Sequence, residues 1–191
     1  MIAIIDSGVA NISSVLFALN RIGFEAIVTR DKKIIETADH VILPGVGTAS
    51  AAMKNLLALD LVSVIQKLHQ PVLGFCLGMQ LLFESSSEGD VDCLGIIPGK
   101  IRKIQGDDLI IPHMGWNTLN FIDKTSTFEN QYVYYVHSFC APVSQYTIAT
   151  TTYGETFTAI VNKDNFWGMQ FHPERSGDVG EKLLKNFLLR S

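Results

Sequence analysis

A chain of 191 residues is about one domain in length and can bury most of the surface its unfolded state exposes, so it needs no disulfide framework. Apolar residues make up 47% and charged residues only 18%, less than the usual quarter, so something besides water is expected to cover part of the surface. With 15 basic against 19 acidic side chains the chain lacks the electrostatic footprint of a nucleic-acid binder, and no apolar run approaches the roughly 18 residues of a membrane span. Met1 to Asp6 is apolar for five residues and has no basic flank, which argues against a secretory signal. Cys76, Cys93 and Cys140 are odd in number and in no close-spaced pair, against both a disulfide framework and a zinc cluster. A cytoplasmic protein with no metal and no cofactor is the expectation.

In chain order, Ile2 to Asp6 reads as a first strand. Asn11 or Ser13 then caps a helix carrying Val15, Leu16, Leu19 and Ile22 on one face, and Gly23 ends it. Glu25 to Thr29 and His40 to Leu43 read as the next strands. An alanine- and leucine-rich stretch to His69 reads as two helical pieces broken near Asp60, followed by the strand Val72 to Phe75 and a helix from Gly78 to Glu84. This alternation predicts βαβ winding, with a mostly parallel central sheet and helices on both faces. From about Leu94 the texture turns β-rich, with strands predicted at Lys100 to Ile104, Leu109 to Ile111, Gln131 to Val136, Tyr146 to Thr152, Phe157 to Val161 and Phe166 to Phe171. A last amphipathic helix carries Val179, Leu183, Leu184, Phe187 and Leu188. Without a repeat, low-complexity tract or linker, residues 1–191 read as a single domain.

The strongest local signal is Leu73-Gly74-Phe75-Cys76-Leu77-Gly78-Met79-Gln80. Gly74 and Gly78 flank Cys76 with the G-x-nucleophile-x-G spacing of a hydrolase elbow, a strand-to-helix turn too tight for larger neighbours. Such a turn is expected to push the side chain into solvent, and the helix start behind it favours the thiolate, the form that attacks carbon. A cysteine after an apolar strand is otherwise most often a small buried hydrophobe. The two glycines separate the readings. Near the other end of the chain stands Phe171-His172-Pro173-Glu174. In an extended segment residues two apart share a face, so His172 and Glu174 can point the same way while Pro173 keeps the backbone out of a helix. Together with Cys76 they supply a nucleophile, a base and the group that orients the base.

The Cys76 elbow with Gln80, together with Gln170-Phe171-His172-Pro173-Glu174, resembles the class I (triad) glutamine amidotransferases. Pro44-Gly45-Val46-Gly47, Pro112-His113-Met114-Gly115-Trp116-Asn117 and Tyr135-Val136-His137-Ser138 are similar to the glutaminase subunits of imidazole glycerol phosphate synthases within that class. The resemblance covers essentially the whole chain. It implies the class's flavodoxin-like α/β fold, and hydrolysis of L-glutamine to glutamate and ammonia through a thioester on Cys76, with His172 as general acid and base and Glu174 orienting it. The tetrahedral oxyanion requires two donors. One would be the backbone N–H of Leu77, the residue after the nucleophile. The other would come from the loop of Gly45, Val46 and Gly47, which by itself is also an ordinary turn after a strand and lacks the third glycine of a dinucleotide loop. By family position Gln80, Glu88, Gly47 and Ser138 would hold glutamine, with Glu88 facing its ammonium, although a solvated loop acid is the commoner role for such a glutamate.

Free ammonia near neutral pH is mostly protonated and has lost its lone pair, so it must travel by a sheltered route. The resemblance accordingly implies a heterodimer with a cyclase subunit of (β/α)8-barrel fold, making imidazole glycerol phosphate in histidine biosynthesis. Asn11, Trp116, Arg175 and Met114 are the expected interface residues, with Met114 and His113 near the ammonia exit. Trp116 is equally read as a core aromatic from sequence alone. Two departures from the family stand out: Ser7 to Ala10 lacks the usual aromatic and second glycine, and Phe139 replaces a common tyrosine. Cys93 and Cys140 match no catalytic position and read as structural. The same chemistry serving a synthase of sugar-nucleotide amination, a noncatalytic interaction module and a stand-alone cysteine hydrolase are the competing readings.

Overall fold

Strands buried on both faces read as continuous apolar runs, and the first half of the chain places such runs between helices. A computed structural model describes residues 1–8 and 11–190; Val9 and Ala10, where one family departure falls, lie outside the described residues. The first half runs β1 (Ile2–Ile5), α1 (Ile12–Arg21), β2 (Ala26–Thr29), α2 (Lys32–Thr37), β3 (His40–Leu43), α3 (Ala49–Ala58), α4 (Val62–Gln66), β4 (Val72–Phe75) and α5 (Leu77–Leu81). Side-chain caps fix the helix starts: Asn11 accepts from the Ser14 N–H, Asp31 from Lys33 and Ile34, and Thr48 from Ala51. The second half runs β5 (Phe83–Ser86), β6 (Val91–Asp92), β7 (Ile97–Lys103), β8 (His113–Thr118), β9 (Asn120–Phe121), β10 (Tyr132–His137), β11 (Phe139–Cys140), β12 (Thr147–Tyr153), β13 (Glu155–Lys163) and β14 (Phe166–Met169). A 3-10 turn (Pro173–Arg175) and α6 (Gly177–Leu188) close the chain.

The central sheet has 8 strands in the order β2-β1-β3-β4-β14-β13-β12-β9. Neighbours from β2 to β14 are parallel, and those from β14 to β9 antiparallel. Alternate residues of each strand enter opposite cores. Ala3, Ile5, Val41 and Leu43 meet Met53 and Leu56 of α3 and Ile65 of α4. Ile2, Ile4, Ile42 and Leu73 meet Val15 and Leu19 of α1 and Leu184 and Phe187 of α6. Each fully buried side chain of this size stabilises the fold by roughly 1.5–3 kcal/mol. Two smaller sheets, β10-β8 and β11-β7-β5-β6, lie beside the main one. No helix among the described residues is long and apolar enough to cross a membrane.

Several elements differ from the sequence reading. Leu109 to Ile111 forms no strand, and Ile110 is 80% exposed, so its apolar character answers to something other than the core. The helix after Cys76 stops at Leu81, because Phe83 starts a strand that pairs with β7. Neither α2 nor β8 was foreseen. The first is a six-residue helix too short to show a period, and the second, His-Met-Gly-Trp-Asn-Thr, alternates in the inverse sense, with Met114 and Trp116 exposed and His113 buried.

Candidate active site

Three segments at the carboxyl ends of adjacent parallel strands build the site, where open α/β sheets bind ligands. Leu43 of β3 is in register with Gly74 of β4, and Phe75 of β4 with Met169 of β14, so the turns after these strands are neighbours. Cys76 follows β4 and takes φ 47° and ψ −108°, a left-handed conformation rare for a residue with a side chain. The elbow is packed so tightly that a Cβ on Gly78 would overlap the Leu43 carbonyl, and one on Gly74 would sit 2.5 Å from the Gly78 carbonyl. A Cβ on Gly45 would come within 2.9 Å of the Gly78 nitrogen, which seats the Pro44-to-Gly47 loop directly on the elbow. In that loop only Gly47 takes a left-handed φ, 94°.

The thiol does not project into solvent as expected. Cys76 is 7% exposed and forms part of the wall of a cavity of about 320 Å3. Its Sγ lies 3.6 Å from the Val136 carbonyl oxygen and accepts from Gln170 Nε2 at 3.8 Å. The helix behind it is only five residues long, so a macrodipole contributes less than the sequence suggested. The ionisable neighbour of the thiol is His172. Its Nδ1 lies 2.8 Å from Glu174 Oε1, which leaves Nε2 for Cys76. Burial alone would lower the pKa of His172, but hydrogen bonds with Cys76 and Glu174 raise it to about 10, so the imidazolium is the favoured form near neutral pH. The two side chains of His172 and Glu174 are 10% and 5% exposed, so their charges are poorly screened. They meet by a different route from the one read in the sequence. Pro173 opens a 3-10 turn, the position where its fixed φ and missing N–H cost nothing, and that turn brings Glu174 back onto His172.

Of the predicted residues, Val46, Gly47, Cys76, Leu77, Gln80, Glu88, Ser138, His172 and Arg175 line the cavity. Leu77 begins α5, so its N–H has no acceptor within the helix. Both amide protons of Gln80 are committed, to Phe139 O at 2.8 Å and to Gln170 Oε1 at 3.0 Å, and its carbonyl oxygen is the atom left for a ligand donor. Glu88 is held by one oxygen, which accepts from the Ala49 N–H at 2.9 Å at the start of α3. Ser138 gives its carbonyl to the Ile104 N–H at 3.0 Å.

Trp116 and Met114 are 55% and 62% exposed, which removes the core reading of the tryptophan. Trp116 stands edge-on to Tyr134 at 5.8 Å, and the Arg175 guanidinium lies 5.1 Å from the same ring, so the three form one patch, of which Arg175 also lines the cavity. Asn11 is exposed and caps α1. His113 is buried, 3% exposed, and not on that surface. The sequence reading gave no role to Gln170 or His137. A lone polar residue in the apolar run Phe166 to Phe171 was the available signal for Gln170. The Val136 carbonyl leaves none, since every residue has one.

The glutamine amidotransferase class-I profile matches residues 3–191. Over 192 residues the chain is 52% identical to the imidazole glycerol phosphate synthase subunit HisH of Idiomarina loihiensis, covering 98% of this chain and 96% of that one. It is 50% identical to the HisH subunit of Colwellia psychrerythraea, covering 97% and 91%. A crystal structure described as a glutamine amidotransferase superposes with a TM-score of 0.78 at 17% identity, over 98% of this chain and 96% of that one, which speaks for the fold alone. The chain belongs to the class I glutamine amidotransferases and, within them, to the HisH family of imidazole glycerol phosphate synthase subunits.

Proposed function

We propose that the chain is the glutaminase subunit of an imidazole glycerol phosphate synthase, hydrolysing L-glutamine and passing ammonia to a cyclase partner in histidine biosynthesis. The observation that carries the reading is Cys76 beside His172 in the wall of a cavity large enough for an amino acid, with Glu174 holding His172 from behind. The Cys76 thiolate adds to the side-chain amide carbon of glutamine. The N–H of Leu77 and the peptide between Gly45 and Val46 stabilise the resulting oxyanion. As the carbon–nitrogen bond breaks, His172 gives its proton to the leaving nitrogen, which departs as ammonia. His172 then takes a proton from water, which attacks the thioester, releases glutamate and regenerates the thiolate. Glu88 and the Gln80 carbonyl oxygen accept from the substrate ammonium, with Gly47 and Ser138 beside them.

The patch of Trp116, Met114 and Arg175 is the docking surface for a cyclase of (β/α)8-barrel fold, with Asn11 at its edge, where α1 packs against the turn that carries Arg175. The three cysteines are all free, in keeping with a reducing cytoplasm. The relatives, at about half identity over nearly the full chain, leave no support for a noncatalytic module or a sugar-nucleotide synthase.

The test is glutamate release from glutamine by the chain with its cyclase. Wild type should turn over, while Cys76→Ala and His172→Ala should lose at least about a hundredfold in kcat. Undiminished hydrolysis by Cys76→Ala would overturn the reading.

A further inference from the structure

The runs Pro112 to Asn117 and Tyr135 to Ser138 fall largely on the paired strands β8 and β10. In the β8–β10 register His137 lies opposite His113 and Tyr134 opposite Trp116. Directly opposed residues project from the same face, and the two imidazoles meet with His113 Nδ1 2.9 Å from His137 Nε2.

The proton positions follow from the ends of this chain. The Phe139 carbonyl oxygen can only accept, so His137 Nδ1, 2.8 Å away, carries the hydrogen. A neutral His137 ring then offers Nε2 as acceptor, and His113 must donate to it from Nδ1. The remaining nitrogen of His113, Nε2, accepts from Asn117 Nδ2 at 3.3 Å. Asn117 is anchored in turn, donating to the Thr152 carbonyl at 3.0 Å and accepting from the Thr118 N–H at 2.8 Å. Burial lowers His113 to about 4 and His137 to about 3, so both rings are neutral at physiological pH and each has one tautomer compatible with its neighbours. Stacking between Tyr135 at 4.8 Å and Tyr153 at 4.1 Å keeps the His113 ring from turning.

The chain ends at a functional place. Phe139 O accepts a second hydrogen bond from Gln80, which also donates to Gln170, and Gln170 donates to Cys76 Sγ. His137, Ser138 and Phe139 line the cavity. We propose that His113, which touches no substrate, is a positioning residue for glutamine hydrolysis: through His137 it fixes the Phe139 carbonyl, and with it Gln80 and the Ser138–Phe139 wall against which glutamine sits. This role rests on the catalytic reading given above. It explains why a phenylalanine serves at position 139: the backbone oxygen makes these contacts, while the ring packs against the core.

His113→Phe keeps an aromatic ring between the two tyrosines and removes both nitrogens; His113→Asn keeps an amide donor near the Nδ1 position. Each is compared with wild type in the full chain with its cyclase partner, by KM and kcat for glutamine and by nitrogen NMR of the His137 tautomer. The expected result for His113→Phe is a KM for glutamine raised about tenfold, the scale of one lost buried hydrogen bond, with the His137 signals changed from one tautomer to a mixture. His113→Asn should restore most of both. Asn117→Ala, at a half-exposed strand position, tests the same chain without a core substitution and should raise KM about threefold. Wild-type KM in both His113→Phe and Asn117→Ala overturns the positioning role, as does a loss of activity in His113→Phe that merely tracks the fraction folded. A wild-type complex that hydrolyses no glutamine overturns the catalytic reading, and the proposal with it.

Discussion

His172 and Glu174 are joined through a single proline, yet their side chains meet at 2.8 Å because Pro173 opens a 3-10 turn. With the hydrogen bond to Cys76, that contact outweighs the desolvation that would keep a buried imidazole neutral and raises His172 to about 10. Both the hydrogen bond with Cys76 and that with Glu174 contribute, so removing the anion at position 174 should be visible in the pH profile. For wild type in the assembled synthase, kcat for glutamine hydrolysis is expected to fall only as pH approaches 10. In Glu174→Gln the alkaline fall should begin at lower pH, with kcat reduced about tenfold or more at pH 8. The same raised value makes the ion pair a stabilising feature that is fully present below the ordinary histidine range near pH 6.5 and is lost as pH rises through about 10. An alkaline limb unmoved by Glu174→Gln would show that the carboxylate does not set the protonation of His172.

The left-handed φ of 47° at Cys76 is a cost the fold carries for placing the thiol. Cys76→Gly should therefore be more stable than Cys76→Ala by about 1 kcal/mol, since alanine keeps the Cβ that the conformation disfavours. Both should be inactive. Chemical denaturation of the two variants decides it, and equal midpoints would mean that the elbow relaxes when the thiol is removed.

Gly78→Ala should destabilise by about 3 kcal/mol, because the new methyl meets the Leu43 main-chain carbonyl rather than a side chain able to move aside. The variant should lose glutaminase activity even in its folded fraction, since Leu43, Gly45 and the elbow are in one contact. Thermal unfolding beside specific activity checks both halves.

Much of this was legible in the sequence, for identifiable reasons. β1, β3 and β4 are buried on both faces, so they appear as apolar runs, and the glycines around Cys76 mark a turn because no larger residue fits at those positions. What stayed hidden was set by tertiary contacts. β8 presents Met114 and Trp116 outward and His113 inward, so its pattern answers to a surface patch and a histidine pair rather than to an apolar face turned inward. The Phe83 to Ser86 strand looked like the end of a helix because its partner, β7, lies further along the chain. The role of Gln170 depends on a distance to sulfur that spacing cannot give.

Trp116 is 55% exposed, so Trp116→Ala should change the stability of the free subunit by no more than about 0.5 kcal/mol. If the patch it shares with Tyr134 and Arg175 is the docking surface, affinity for the cyclase should fall by about 2 kcal/mol, roughly thirtyfold. Arg175→Ala should weaken docking as well and let more ammonia escape to solvent per glutamine hydrolysed. Calorimetric titration against the cyclase, beside the thermal midpoint of the free subunit, separates these effects. Unchanged affinity in both variants would place the interface elsewhere.

Burial lifts the Cys93 thiol to about 11, and burial with the Glu155 carboxylate lifts Cys140 to about 12, so both stay protonated and unreactive near neutrality. Cys76 alone of the three lines the cavity and is paired with His172. A glutamine-mimicking diazoketone, incubated with the assembled synthase at pH 8 and followed by peptide mapping, tests the nucleophile assignment most directly. The expected result is one label per chain, on Cys76, with glutamine protecting against it and His172→Ala slowing it. Labelling of Cys93 or Cys140 in preference to Cys76, or labelling of Cys76 that glutamine does not slow, would contradict the assignment.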